Sequence, residues 1–136
     1  MSRARRHRRG SAHGAAAVEF ALVLLPLLLV LLGTLDWGYY FYIRESIINA
    51  AREGARAGSI QRSSDEGISA ANLYLSRVGL QQTARGCSGS AIADSACVFV
   101  EYDVGSITGF SDLVGIMPEH ATARAVMRFE GPNPAP

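Results

Sequence analysis

A run of apolar residues near the amino terminus constrains the fold of this chain more than any other feature. Residues 15–35 read AAAVEFALVLLPLLLVLLGTL, and Glu19 is the only ionisable residue among them. A helix of roughly 20 apolar residues is long enough to cross the hydrocarbon core of a bilayer. A carboxylate within such a span raises the free energy of membrane insertion by on the order of 2.5–3.5 kcal/mol. We therefore expect Glu19 to have a partner and a function.

The charges differ on the two sides of this run. All 13 basic residues are arginines, and five of them precede Gly10. Without those five, 8 arginines face 12 acidic residues, which leaves the rest of the chain with a formal side-chain charge of −4. Because arginines beside a span stay in the cytoplasm, we predict a cytoplasmic amino terminus and an exported body. Arginines also attract nucleic-acid phosphates, but no folded basic face or aromatic platform accompanies them, so we predict no nucleic-acid binding.

The residue patterns predict an α+β fold in which a long transmembrane helix continues into a small exported domain with a helix and a short antiparallel sheet. Trp37, Tyr39, Tyr40, Phe41 and Tyr42 follow the span at once, where amphipathic rings settle at a membrane interface. The predicted segments are a disordered basic cytoplasmic leader (1–14), the transmembrane helix (15–36), its continuation outside the membrane (37–60), the exported α+β domain (61–130) and a flexible tail (131–136).

The helical continuation carries small residues on one face. Ala50, Gly54 and Gly58 are spaced by four, so another backbone can approach closely along that face. Two occupants fit this stripe equally well, a neighbouring protein and the chain's own carboxyl-terminal domain.

The exported domain has recognisable helix and strand signals. Ser63 followed by Glu66 fits a capping box at the start of a helix, and Gly79 is a plausible end of it. VFVEYDV (98–104) and ATARAVMRF (121–129) alternate in the period of two that half-buried strands show. The segment between them, ITGFSDLVGIMP, is expected to be a loop or one short helical turn.

The two cysteines, Cys87 and Cys97, lie in the part predicted to be exported. An even number of cysteines outside the cytoplasm favours a disulfide, with two free buried thiols as the alternative. A zinc site does not fit, because no histidine is near and the spacing is wrong. Ser111, Asp112 and His120 could be combined into a catalytic set, but nothing fixes their geometry. We therefore predict no enzymatic activity, no cofactor, no metal and no small-molecule substrate.

The residues before the span suggest processing on the cytoplasmic side. An ordinary secretory signal has its small-residue cleavage site after a shorter apolar core, whereas here the small residues AHGAAA come first. A cut after Gly14 would place a new amine on Ala15, and Glu19 would lie four residues along on the same helix face. Glu19 could then pair with that ammonium, or with the ammonium of a neighbouring copy. The alternative is a carboxylate held by lipid headgroups.

Gly14, four small or apolar residues, Glu19 and Phe20 resemble the prepilin-peptidase site of type IV pilin-like proteins of the tight-adherence (Tad, Flp) variety. With INAAREGARAGS after the aromatic cluster and the closing ATARAVMRFE, the chain resembles the TadE-like family of minor pilins or pseudopilins. The resemblance implies cleavage between Gly14 and Ala15, recognition through Glu19 and Phe20, and a role in building a Tad pilus for surface attachment. It also implies that the partners are a prepilin peptidase, other Tad pilins and inner-membrane assembly platform proteins.

The implied location is the inner membrane, with one span and a periplasmic or extracellular domain. The resemblance leaves open whether the subunit enters the pilus, caps it or stays in the membrane. Two other functions fit the same sequence features. The chain could be an uncleaved single-span accessory subunit of a secretion apparatus, or a membrane-tethered exported binding module. The mass of the mature chain separates the first of these from a processed pilin, because only a processed pilin loses its basic leader.

Overall fold

The computed structural model describes residues 12–87 and 94–131 and confirms the α+β class. Helix α1 spans Ala12–Gln61 and helix α2 spans Ser64–Arg77. The strands are β1 (Arg85–Gly86), β2 (Ser95–Asp103) and β3 (His120–Arg128), and a short helix α3 (Phe110–Val114) lies between β2 and β3. Residues 1–11 and 132–136, and with them most of the predicted leader and tail, lie outside the described residues.

Helix α1 is one continuous element of 50 residues that contains Pro26. Its first residue is Ala12, so the structure places residues 12–14, assigned above to the leader, in the first turn of this helix. The amino-terminal half is exposed, and the carboxyl-terminal half forms one wall of the core. The core side chains on α1 are Ile43, Ile47, Ala50, Ala51 and Ala55.

Helix α2 begins and ends where the sequence predicts. The side chain of Ser63 accepts a hydrogen bond from the backbone N–H of Glu66 at 3.4 Å, which confirms the cap. At the other end Gly79 has a φ of +78°, and the backbone N–H of Leu80 donates to the carbonyl of Leu75 at 2.9 Å. This is a Schellman arrangement, which glycine favours because it has no Cβ to oppose a positive φ.

The sheet is antiparallel with strand order β1-β2-β3. Strand β2 pairs with β3 from Ser95 opposite Arg128 to Asp103 opposite His120, and β1 pairs with β2 through Arg85 opposite Phe99. Strand β2 begins at Ser95, three residues before the alternating segment that was expected, because Ala96 and Cys97 are also buried against the core. Strand β1, only two residues long, was not predicted.

The sheet lies alongside the second half of α1. At one end the backbone N–H of Glu130, just after β3, donates to the carbonyl of Ser59 at 3.0 Å. At the other end residues 104–119, hereafter the β2–β3 loop, extend toward the exposed half of α1. The C-terminal domain is therefore packed along the helix with its β2–β3 loop at the end nearest the apolar run.

Candidate functional site

The exposed half of α1 fits a membrane. Among the described residues, α1 is the one helix long and apolar enough to cross a bilayer, judged by length and composition. Its most apolar window has a mean hydropathy of 2.7, and none of that window is buried by the rest of the chain. Such a surface is unusual for a protein surrounded only by water. The structure is therefore that of a membrane-anchored protein with a C-terminal domain.

The residues around the expected cleavage point lie on this exposed helix. Gly14 and Ala15 are in the first turn of α1, and both are exposed. Glu19 and Phe20 follow one turn later, and Phe20 is 66% exposed. Glu19 forms no hydrogen bond or ion pair with any residue that the structure describes. The four residues are thus presented outward, where another protein could contact them.

The structure assigns the small-residue stripe to the chain's own C-terminal domain. A Cβ added to Gly54 would lie 2.6 Å from the carbonyl oxygen of Gly67 and 2.8 Å from the Cβ of Ala71. A Cβ added to Gly58 would lie 2.7 Å from the Cβ of Ala96. Real Cβ atoms do not approach other atoms this closely, so α2 and β2 pack at a distance that only glycine allows. Of the two occupants considered, the domain itself takes this face.

A carboxylate at the end of the apolar run was assigned no role from the sequence. Asp36 is fully buried. Its Oδ1 accepts hydrogen bonds from the backbone N–H groups of Ile107 at 3.1 Å and Thr108 at 2.9 Å. Its Oδ2 accepts from the Thr108 hydroxyl at 2.7 Å and from the N–H of Ser111 at 3.1 Å. Four donors from the β2–β3 loop therefore satisfy one buried carboxylate.

The Asp36 contact also organises the loop itself. The Thr108 Oγ1 accepts a hydrogen bond from the N–H of Phe110 at 3.2 Å, and the N–H of Ser111 belongs to the first turn of α3. Asp36 and Thr108 thus bind N–H groups that a five-residue helix leaves free at its start. The ring of Phe110 lies against α1 at Gly33, since a Cβ there would be 3.8 Å from Phe110 Cε1.

The aromatic residues next to Asp36 form a cluster on α1. The ring centroids of Trp37 and Tyr40 are 5.7 Å apart, and those of Trp37 and Phe41 are 5.8 Å apart. The Tyr42 hydroxyl donates to the carbonyl of Val78 at 3.0 Å and so contacts the end of α2. The cluster therefore marks the level at which the apolar half of α1 ends and the C-terminal domain begins.

Cys87 and Cys97 are joined by a disulfide, with Cα atoms 5.6 Å apart. Cys87 directly follows β1, whose last residue, Gly86, pairs with Val98 of β2. The bond therefore fastens the edge strand to the middle strand of the sheet.

The structure does not assemble the catalytic set considered above. Ser111 and Asp112 lie on α3, where the backbone N–H of Ser111 donates to Asp36 and the Asp112 carboxylate accepts from the Ser106 hydroxyl at 2.7 Å. His120 lies at the start of β3, and its Nδ1 is 2.7 Å from Asp103 Oδ1. Within residues 12–87 and 94–131, no group of three or more His, Cys, Asp and Glu side chains could hold a metal ion.

Comparison with known proteins gives one family. Residues 14–56 match the model of the family described as TadE-like protein. No curated protein and no solved structure matches the chain. The match begins at Gly14 and includes the apolar run, Asp36, the aromatic cluster and the first part of the small-residue stripe. The resemblance found in the sequence is therefore confirmed over residues 14–56, and that segment of the chain is similar to the family described as TadE-like protein.

Proposed function

We propose that this chain is a minor pilin or pseudopilin that takes part in assembly of a Tad pilus for surface attachment, after processing by a prepilin peptidase. One observation carries the proposal. The segment that matches the TadE-like family starts at Gly14, the residue after which the cut is expected, and continues along the apolar half of α1, whose most apolar window is not buried by the rest of the chain. A helix of this kind can be held by lipid before assembly and by neighbouring helices afterwards.

The proposed arrangement is a single span in the inner membrane with the arginine-rich leader in the cytoplasm and the C-terminal domain outside. The five leader arginines support this orientation. The partners are the prepilin peptidase, other Tad pilins and the inner-membrane assembly platform proteins. On this proposal the chain is the substrate of an enzyme and has no catalytic activity of its own.

Amino-terminal sequencing tests the processing step. We expect protein extracted from membranes of cells that carry the peptidase to begin at Ala15, and protein from the same cells without the peptidase to keep its leader. An intact Met1 or Ser2 in the peptidase-containing cells would contradict processing and favour the uncleaved accessory subunit.

A pair of glycine variants makes this test specific. A Cβ added to Gly14 or to Gly38 would meet no atom within 4 Å, so Gly14→Leu and Gly38→Leu both leave the packing intact. We expect Gly14→Leu to block cleavage and Gly38→Leu to be cleaved normally. Equal cleavage of the two variants would show that the peptidase does not recognise Gly14.

A further inference from the structure

We propose that the β2–β3 loop forms a second membrane contact, whose partner is the headgroup and upper acyl-chain region of a zwitterionic lipid surface. The inference rests on the transmembrane span proposed above and adds to it a surface of the C-terminal domain. It arises from three observations, which are the position of the loop along α1, its exposed side chains and its charge.

The position follows from the contacts at the two ends of the sheet. The end where β3 finishes is hydrogen-bonded to Ser59, near the end of α1. The opposite end leads into the β2–β3 loop, which Asp36 holds through Ile107, Thr108 and Ser111. Asp36 directly follows the apolar run and precedes the aromatic cluster, so the loop lies at the level where the span leaves the hydrocarbon.

Four of the side chains that the loop exposes at this level are large and apolar. Leu113 on α3 is 85% exposed and Ile107 is 64% exposed, and Val114 and Ile116 are also exposed. On α1 at the same level, Leu35 and Phe41 are exposed as well. Exposed aliphatic side chains grouped beside the end of a span are the composition by which segments settle in a membrane interface.

The charge of the loop indicates which lipid it meets. Residues 104–119 contain no lysine or arginine, and their charged side chains are those of Asp112 and Glu119, so nothing in the loop would attract anionic headgroups. Asp112 accepts a hydrogen bond from Ser106. The contact we infer is therefore driven by apolar burial and needs no anionic lipid.

Site-directed spin labelling of the full chain measures this contact. Leu113→Cys, Val23→Cys and Ile60→Cys all replace exposed aliphatic side chains, so none of them disturbs the core. Ile60 lies on the same helix as Asp36, ~36 Å further from the span at 1.5 Å per residue. Each variant is labelled with a nitroxide and reconstituted at low density in phosphatidylcholine vesicles. The accessibility of the nitroxide to oxygen and to a water-soluble nickel chelate is then compared.

We expect the ratio of oxygen to nickel accessibility to be highest at Val23, and at Leu113 to exceed that at Ile60 by at least about threefold. A label at Leu113 as accessible to nickel as the label at Ile60 would overturn the proposal while leaving the span intact. The label at Leu113 could instead be shielded from both reagents and show spin–spin broadening that disappears on dilution with unlabelled protein. That result would assign the surface to a second copy of the chain and would also overturn the proposal. High nickel accessibility at Val23 would instead refute the span itself.

Discussion

The carboxylate of Asp36 joins two segments that are more than 70 residues apart in the chain. Burying a carboxylate is costly unless hydrogen bonds replace the water it loses. Three backbone N–H groups and one hydroxyl replace that water here. These hydrogen bonds fix the β2–β3 loop to α1 at a defined position along the helix. This side chain therefore sets where the end of the C-terminal domain lies relative to the apolar run.

We predict that Asp36→Asn loosens the β2–β3 loop without unfolding the domain. The amide offers one acceptor where the carboxylate offers two, so donors such as the N–H of Ser111 lose their partner, at a cost of about 2 kcal/mol. Hydrogen exchange at the amides of Ile107, Thr108 and Ser111 should accelerate by roughly 30-fold in detergent-solubilised protein.

Asp112→Asn is the matched control for this measurement. Asp112 lies in the same loop, but it is exposed and accepts its hydrogen bond from the Ser106 hydroxyl. We expect exchange at the three amides to change little in this variant. Equal protection of the three amides in Asp36→Asn and the unchanged protein would show that the carboxylate does not hold the loop.

The sequence indicates only one side of the Asp36 contact, the carboxylate, and not the donors that bind it. An aspartate directly after an apolar run is a conspicuous residue, and its burial would have required donors. The donors lie in SITGFS, a segment that local patterns mark only as a loop or short helical turn. Nothing in the spacing or composition of that segment indicates that it folds back to position 36, because the contact depends on how the sheet packs along α1.

At the level of elements, the interface between α1 and α2 depends on three glycines. A Cβ on Gly67 would lie 2.7 Å from the carbonyl oxygen of Gly54 and 3.3 Å from the Cα of Gly58. The opposing atoms belong to a helix backbone and cannot rotate away. The two helices therefore have to separate if any of these glycines gains a side chain.

We predict that Gly67→Ala destabilises the domain by about 1–3 kcal/mol, the usual cost of overfilling a packed interface. The thermal unfolding midpoint in detergent micelles should fall. Gly38→Ala is the control, because a Cβ there meets no atom within 4 Å and alanine favours the helix. An unfolding midpoint for Gly67→Ala at or above that of Gly38→Ala would contradict the packing described.

The disulfide between Cys87 and Cys97 leads to a second prediction at the level of elements. The bond closes a loop between residues separated by 10 positions. In the chain-entropy model this closure raises the free energy of the unfolded chain by about 2–3 kcal/mol. We expect Cys87 and Cys97 to resist alkylation under denaturing, non-reducing conditions, and to react fully after reduction. Labelling of both cysteines in unreduced membranes would show that the bond does not form in cells.

The sequence predicted most elements but not all of their contacts. The cap at Ser63, the end at Gly79 and the two alternating strands are local patterns, and the structure contains all of them. The occupant of the small-residue stripe remained open, because small residues show that something comes close without identifying it. Strand β1 was missed because two residues carry no periodicity, and its pairing depends on the neighbouring β2.

At the scale of the whole molecule, we predict that Glu19→Gln inserts normally but does not support pilus assembly. Removing a charge lowers the cost of insertion, so the amount in the membrane should not fall. The amide cannot act as a charge partner for the ammonium of a cleaved Ala15. Membrane level, cleavage after Gly14 and surface piliation are measured separately.

Glu45→Gln is the matched control for Glu19→Gln, because Glu45 is an exposed carboxylate on α1 beyond the apolar run. We expect it to behave like the unchanged protein in all three measurements. Normal piliation with Glu19→Gln would show that assembly does not depend on this carboxylate, and would favour the alternative in which lipid headgroups hold it. Loss of Glu19→Gln from the membrane would assign the carboxylate a role in stability.

The unbroken course of α1 has a mechanical consequence. Fifty helical residues form a rod of ~75 Å, and the C-terminal domain is packed along its second half with no linker between them. An axial displacement of the lipid-facing end therefore carries the C-terminal domain with it. Rotation of the helix about its axis likewise turns the domain. A force applied to the membrane half would therefore displace and turn the outer half together.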